Sequence, residues 1–334
     1  MSTDLRLVVV GQGPATEAFL EGLGQTDWAP QTVELLAAAP EPGASFGYRK
    51  RSLDIHPVDD FDFSSADLAI FLDESQSAAA WAEPAAAAGC MVVEASGILA
   101  LRTDMPQVID GLDPEGSLGA ALERGLVVVP PAPAALLARL LVPLQALATV
   151  EAVQATVLRS MGGYGAAAVE ELAAQTAALL NAQQRESKVF DAPVAFNLLP
   201  EAGEEEGGHA ATELAMAESV RRYLARETVG VSASAVAVPV FHGDGMAVHV
   251  TLAEAVEPEA VAAALRDAGL AAAGGPLGPD PRTVAEGGGF QVGRIRVETS
   301  APEHLALWAV ADPIRGLTVP AALAITRLLA QELG

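Results

Sequence analysis

Residues 8–23 read VVVGQGPATEAFLEGL. A short β-branched run ends in two closely spaced glycines, Gly11 and Gly13, and passes at once into an amphipathic pattern. That order predicts a strand over residues 5–10, a tight turn, and a helix over about 15–22. Working outward, short apolar runs recur at 32–36, 68–72, 91–94 and 126–129, with a second helical pattern at 78–88. Strands alternating with helices in this way stack as βαβ units, so a parallel sheet with helices on both faces is expected.

The chain has 334 residues, more than a single core usually serves, and two domains are expected. The formal charge of −24 gives a field that repels nucleic acid and anionic membrane surfaces. No stretch reaches the roughly 18 uninterrupted apolar residues of a membrane helix, and the richest, 132–144, reads as buried. Residues 1–5 lack the cationic start and apolar run of a secretory signal, and the single cysteine, Cys90, cannot form an internal disulfide. A cytoplasmic protein is expected.

From Thr149 the pattern changes to longer strands with period-two alternation, notably 231–240 and 246–253, then 293–297 and 305–311. These suggest a mostly antiparallel sheet. Two long helical patterns, 166–183 and 210–226, should cover one of its faces. Residues 201–208, EAGEEEGG, and the glycine- and proline-rich 274–289 read as solvated excursions. A final amphipathic run, 321–333, returns most economically to the first domain. The expected fold is therefore α/β: a Rossmann-like parallel-sheet domain, residues 1–131 with 315–334, plus an α+β dimerisation domain, residues 132–314, with a mostly antiparallel sheet.

Gly11 and Gly13 form half of a dinucleotide fingerprint. At a strand-to-helix turn a pyrophosphate would meet helix-terminal amides, but the third glycine is missing and Glu17 adds negative charge. Two readings stand: a nucleotide seat, or a tight turn in a Rossmann-like domain without its ligand.

Several stretches follow one another in a familiar order: GGYGAAAVEELAAQTAALLN (162–181), FNLLPEAG (196–203), AVPVFHGDG (237–245), VGRIRVE (292–298) and LWAVADPIRG (307–316). With them the chain resembles the aspartate-semialdehyde dehydrogenase family and, more closely, its USG-1-like branch. The resemblance runs from about Leu5 to Leu333 and rests on the order of many partial matches. It implies a fold in which a cysteine thiolate attacks an aldehyde, a histidine handles the proton, and NADP accepts hydride before phosphate releases the acyl group.

Carried over by position, that machinery is altered throughout. The nucleophile's position falls on Ala132, within VPPAPAA, and the general-base histidine's on Asp244. Arg159 stands where the family has a glutamine, and the turn after it reads Gly162-Gly163-Tyr164-Gly165. Asp312-Pro313 and the later Pro320 replace nicotinamide-side contacts and remove amide donors. A substrate arginine falls at Ala100, with Arg102 two residues on, and the family's glutamate and lysine fall near Thr212 and Leu214. Arg296 in GRIR matches the arginine that binds the substrate carboxylate; it either still binds an anion or sits on an interface strand held by a carboxylate. His242 lies two residues before Asp244, and His242, Asp244 and His249 find no further ligand of suitable spacing for a metal. Cys90, in AAGCMVVE, reads as a small buried thiol.

The sequence therefore points to a catalytically inactive homologue, a homodimer with a binding or scaffolding role. It needs no cofactor, NADP being the one implied if any is bound, and no nucleic acid or membrane. The alternatives are an active NADP-dependent aspartate-semialdehyde dehydrogenase and a small-anion sensor using Arg159 and Arg296 in the former substrate cleft.

Overall fold

The computed structural model describes residues 5–73, 75–112, 116–183, 185–201, 206–272, 278–287 and 289–333. The chain forms two compact units, Met1–Pro131 with Thr318–Gly334, and Ala132–Leu317.

In the first unit the order is β1 (Arg6–Val10), α1 (Pro14–Gly24), β2 (Thr32–Ala37), β3 (Ser45–Tyr48), β4 (Arg51–Pro57), β5 (Leu68–Phe71), α2 (Ser75–Ala87), β6 (Met91–Glu94), α3 (Ser117–Arg124) and β7 (Leu126–Val128). The sheet runs β3-β4-β2-β1-β5-β6-β7, parallel except for the β3–β4 hairpin. Its central strands are apolar on both faces, as a covered parallel sheet requires. Val8, Val10, Ala69 and Phe71 pack with Ala78, Ala82 and Ala85 of α2. Leu7, Val9, Leu68 and Ile70, which alternate with them, are equally buried on the opposite face.

The second unit runs α4 (Ala132–Leu147), β8 (Val150–Arg159), α5 (Ala166–Leu180), β9 (Leu199–Pro200), α6 (Ala211–Tyr223), β10 (Gly230–Ala237), β11 (Asp244–Leu252), α7 (Pro258–Asp267), β12 (Ala271–Ala272), α8 (Pro281–Gly287), β13 (Phe290–Glu298) and β14 (Ala301–Ala311). The chain then passes through a π-helical turn, Pro313–Thr318, into α9 (Val319–Leu333), which returns to the first unit and packs on α1, β5 and β6. By length and mean hydropathy, 1.2, the run Pro313–Leu333 passes the composition test for a membrane span, but half of it is buried inside the fold, as in a core helix.

The second sheet is ordered β12-β13-β14-β11-β8-β10-β9 and is mostly antiparallel, with parallel pairs at β8–β10 and β12–β13. Helices α4, α6 and α7 back it. The buried run 132–144 is the first part of α4, whose Leu136, Leu137, Leu140, Leu141 and Leu144 are all within the core. Of the two long helices expected on the sheet, α6 packs on β10, whereas α5 packs against Met161, Val194 and Ala195.

Several elements depart from the sequence reading. The strand expected over 231–240 stops at Ala237: the Val238 amide still bonds the Arg159 carbonyl of β8, but the Val240 amide bonds back to the Val238 carbonyl in a tight turn. A helix, α8, occupies part of the stretch expected to be an excursion at 274–289. Residues 1–4 of the expected leaderless start, 202–205 of the acidic loop, and 273–277 and 288 of the later loop lie outside the described residues.

Candidate functional site

Beyond β1 the chain turns at Gly11, whose φ of +148° is open to glycine and whose amide donates to the Leu36 carbonyl of β2. Helix α1 then opens with Pro14, which has no amide to leave unpaired. The remaining donors at this helix start converge on one side chain, Asp73, in the loop after β5. Its carboxylate accepts from the amides of Gly13 (3.1 Å), Ala15 (3.0 Å) and Thr16 (2.8 Å) and from the Thr16 hydroxyl (2.7 Å). One strand further along, the buried Glu94 at the end of β6 accepts from the amides of Ser96, Gly97 and Leu99. Burial holds its carboxyl above the usual range against those hydrogen bonds.

In the second unit, β8 ends on Arg159. Its Nη1 donates to Glu201 (2.5 Å) and to the Thr212 hydroxyl (3.2 Å), and its Nη2 to the Gly163 carbonyl (3.0 Å). The guanidinium lies 4.2 Å from the centroid of Tyr164, whose hydroxyl donates to the same Glu201 oxygen. Arg159 Nε is buried with no partner among the described residues. Burial works against the charge on Arg159, but Glu201 and its neighbours outweigh it, so the guanidinium titrates higher still. Burial likewise opposes ionisation of Glu201, and Arg159 overcomes it to leave the carboxyl below its usual range. Burial pushes Tyr164 well up, keeping it a neutral donor. The group is thus a settled ion pair.

This cluster forms one wall of a cavity of about 450 Å³, lined also by Phe190, Thr212 and Ala237. The segment closing the cavity is clamped onto α5. Glu171 accepts from the amides of Lys188 and Val189, and Gln175 accepts from those of Val194 and Ala195. The reading of residues 201–208 as wholly solvated is corrected at Glu201, whose side chain is only 15% exposed.

Asp244, at the start of β11, is buried and accepts from both the amide and the hydroxyl of Ser160, each at 2.8 Å. Burial pushes its carboxyl up to about 6. A Cβ added at Gly163 would find Arg159, Pro313 and Asp244 all within 4 Å, so three of the positions singled out by the sequence do converge. His242 is exposed and lies against Gly162. Among the described residues no group of His, Cys, Asp and Glu is placed to hold a metal. The carboxylate of Asp312 accepts from the amides of Ile314 and Arg315, capping the π-helical turn.

The two remaining arginines do not join the cluster. Arg296 is exposed on β13 and donates to the Arg294 carbonyl. Its register partners lead across the sheet through Ala306 and His249 to Gln154. That is three strands over and five residues short of Arg159, or about 20 Å. Arg296 therefore stands well apart from Arg159 along the sheet. Arg102 is already held by carboxylates: it pairs with Glu83 and Asp104, which Arg124 also bridges, on the surface of the first unit.

Ala132 opens α4 and is buried. Cys90 is 1% exposed in the core of the first unit, and burial pushes its thiol up to about 12. Sequence reasoning missed Asp73 and Glu201. The only local hint of Asp73 is an acidic residue directly after an apolar strand.

A doubly wound parallel sheet with a separate helix-backed mixed sheet is the scaffold of an α/β dehydrogenase. Residues 141–316 match the family model for the semialdehyde dehydrogenase dimerisation domain. The USG-1 protein homolog of Pseudomonas aeruginosa is 35% identical over 94% of both chains, and the aspartate-semialdehyde dehydrogenase of Legionella pneumophila 29% over 99% and 97%. Aspartate semialdehyde dehydrogenase II of Vibrio cholerae, solved with ASA, superposes with a TM-score of 0.92 at 27% identity over the whole of both chains. The chain belongs to the aspartate-semialdehyde dehydrogenase family, alongside the USG-1 homologues.

Proposed function

We propose that this chain is a catalytically inactive member of its family, a homodimer that acts by binding rather than by hydride transfer. The observation that carries the reading is the want of a usable nucleophile. The position that the resemblance gives to the thiol is Ala132, and the chain's one cysteine is a core residue whose thiolate is out of reach at neutral pH. Two further observations support it. Asp244, at the base position, spends its carboxylate on Ser160, and Arg159, at the glutamine position, is locked to Glu201.

The test is an assay of the purified chain with aspartate semialdehyde, phosphate and NADP. No NADPH forms, and Ala132→Cys does not restore turnover, because base and glutamine positions are altered as well. NADPH formation by the wild type above a denatured control sinks the reading and returns the chain to the working NADP-dependent enzymes.

The homodimer element rests on the second unit. The sheet face carrying Gln154, Thr156, Ser232, Ser234 and His249 is exposed, and these residues lie side by side in the register. The matching family model is named for dimerisation. Sedimentation at micromolar concentration gives twice the chain mass; a monomer there removes this element.

A further inference from the structure

Asp73 occupies the place where a doubly wound sheet takes its ligand. From β1 the chain moves to β2 on one side, whereas from the neighbouring β5 it moves to β6 on the other. The crevice at the carboxyl ends of β1 and β5 is therefore the switch point of the sheet. The start of α1 opens onto it, and the amides there, with the positive end of the helix dipole, make an anion seat. Both oxygens of Asp73 lie in that seat, meeting four donors.

The glycines tell what has been exchanged. A Cβ on Gly13 would stand 2.6 Å from the Asp73 carboxyl carbon, nearer than real Cβ contacts come. In a nucleotide-binding turn that bare backbone admits a pyrophosphate. Here it admits the chain's own carboxylate. Glu17, in the first turn of α1, adds a second negative charge.

We infer that Asp73 is a built-in occupant of the phosphate seat and excludes the pyrophosphate of NADP, or of any dinucleotide, from the first unit. The residues present do not fit that group: an incoming phosphate would have to displace a carboxylate from its donors and then sit beside its charge. The inference deepens the inactive reading but concerns cofactor binding alone, so the two can fail separately.

The experiment is calorimetric titration of the full-length chain, as wild type and as Asp73→Ala, with NADP and separately with inorganic pyrophosphate. Circular dichroism checks folding, and Asp73→Ser replaces the alanine variant if that does not fold. The wild type should saturate with neither probe in the submillimolar range. The variant should bind both at least about tenfold more tightly, and added salt should weaken that binding. Saturation of the wild type by micromolar NADP overturns the inference, as do folded alanine and serine variants that bind no better than the wild type. NADP binding by the wild type without turnover overturns this inference alone. NADPH formation only after Asp73 is replaced supports this inference and leaves the wild type inactive, but overturns the missing nucleophile as the reason.

Discussion

The loop at the start of α1 and the end of β8 are both filled by the chain's own charged groups, but in opposite manners. Asp73 is a single exposed carboxylate resting on backbone donors. Arg159 is a partly buried cation tied to a partly buried carboxylate, a phenol, a threonine and a carbonyl. The difference teaches which alteration one substitution can reverse. Removing Asp73 deletes a helix cap from outside the helix, worth about 1 kcal/mol, and leaves its amides open to water or another anion. Removing any member of the Arg159 cluster leaves the others short of a partner on the wall of the cavity.

The largest effect should come from breaking that cluster. Glu201→Ala leaves the partly buried guanidinium without its counter-charge, and urea unfolding should show a loss of about 1.5–3 kcal/mol. Replacing both Arg159 and Glu201 by leucine should recover much of it, since the desolvation cost falls on the charges. If Glu201→Ala costs no more than an exposed substitution, the cluster is not a partly buried pair, and the contrast with Asp73 dissolves.

The same contrast shows in what could be read beforehand. The parallel sheet was legible because β1, β5, β6 and β7 are short apolar runs, each bounded by local turn or helix signals. The β3–β4 hairpin was not: its turn is Arg49-Lys50, with Arg49 at φ 51°, where such turns usually advertise themselves with asparagine and glycine. The altered catalytic positions were legible as identities, Ala132 and Asp244 among them. What replaced their contacts was not. Arg159 and Glu201 are 42 residues apart, and Asp73 lies 57 to 60 from the amides it caps. Pairings over such separations leave no periodic trace. Local composition even misled at Glu201, because the acidic, glycine-rich run that follows it signals solvent, while a backbone bond to Ala235 fixes Glu201 beside β10.

A smaller effect should separate Asp244 from its neighbour Arg159. Its carboxyl titrates near 6 in the folded protein against an ordinary 3.8, because burial outweighs the attraction of Arg159 and the Ser160 hydrogen bonds. The folded state therefore keeps the proton longer than the unfolded chain. The stability tied to that proton is fully present below the unfolded value and is lost as the pH rises through about 6. Asp244→Asn keeps an acceptor for the Ser160 amide and hydroxyl but cannot titrate. Between about pH 5 and about pH 8 the wild type should lose about 1 kcal/mol relative to this variant. Denaturant unfolding of both proteins across that range checks it, and the comparison cancels the parallel contribution expected from Glu94, whose carboxyl is also raised by burial. Parallel pH profiles would mean that Arg159 fully compensates Asp244. The guanidinium would then serve two carboxylates, and Glu201→Ala should cost correspondingly less.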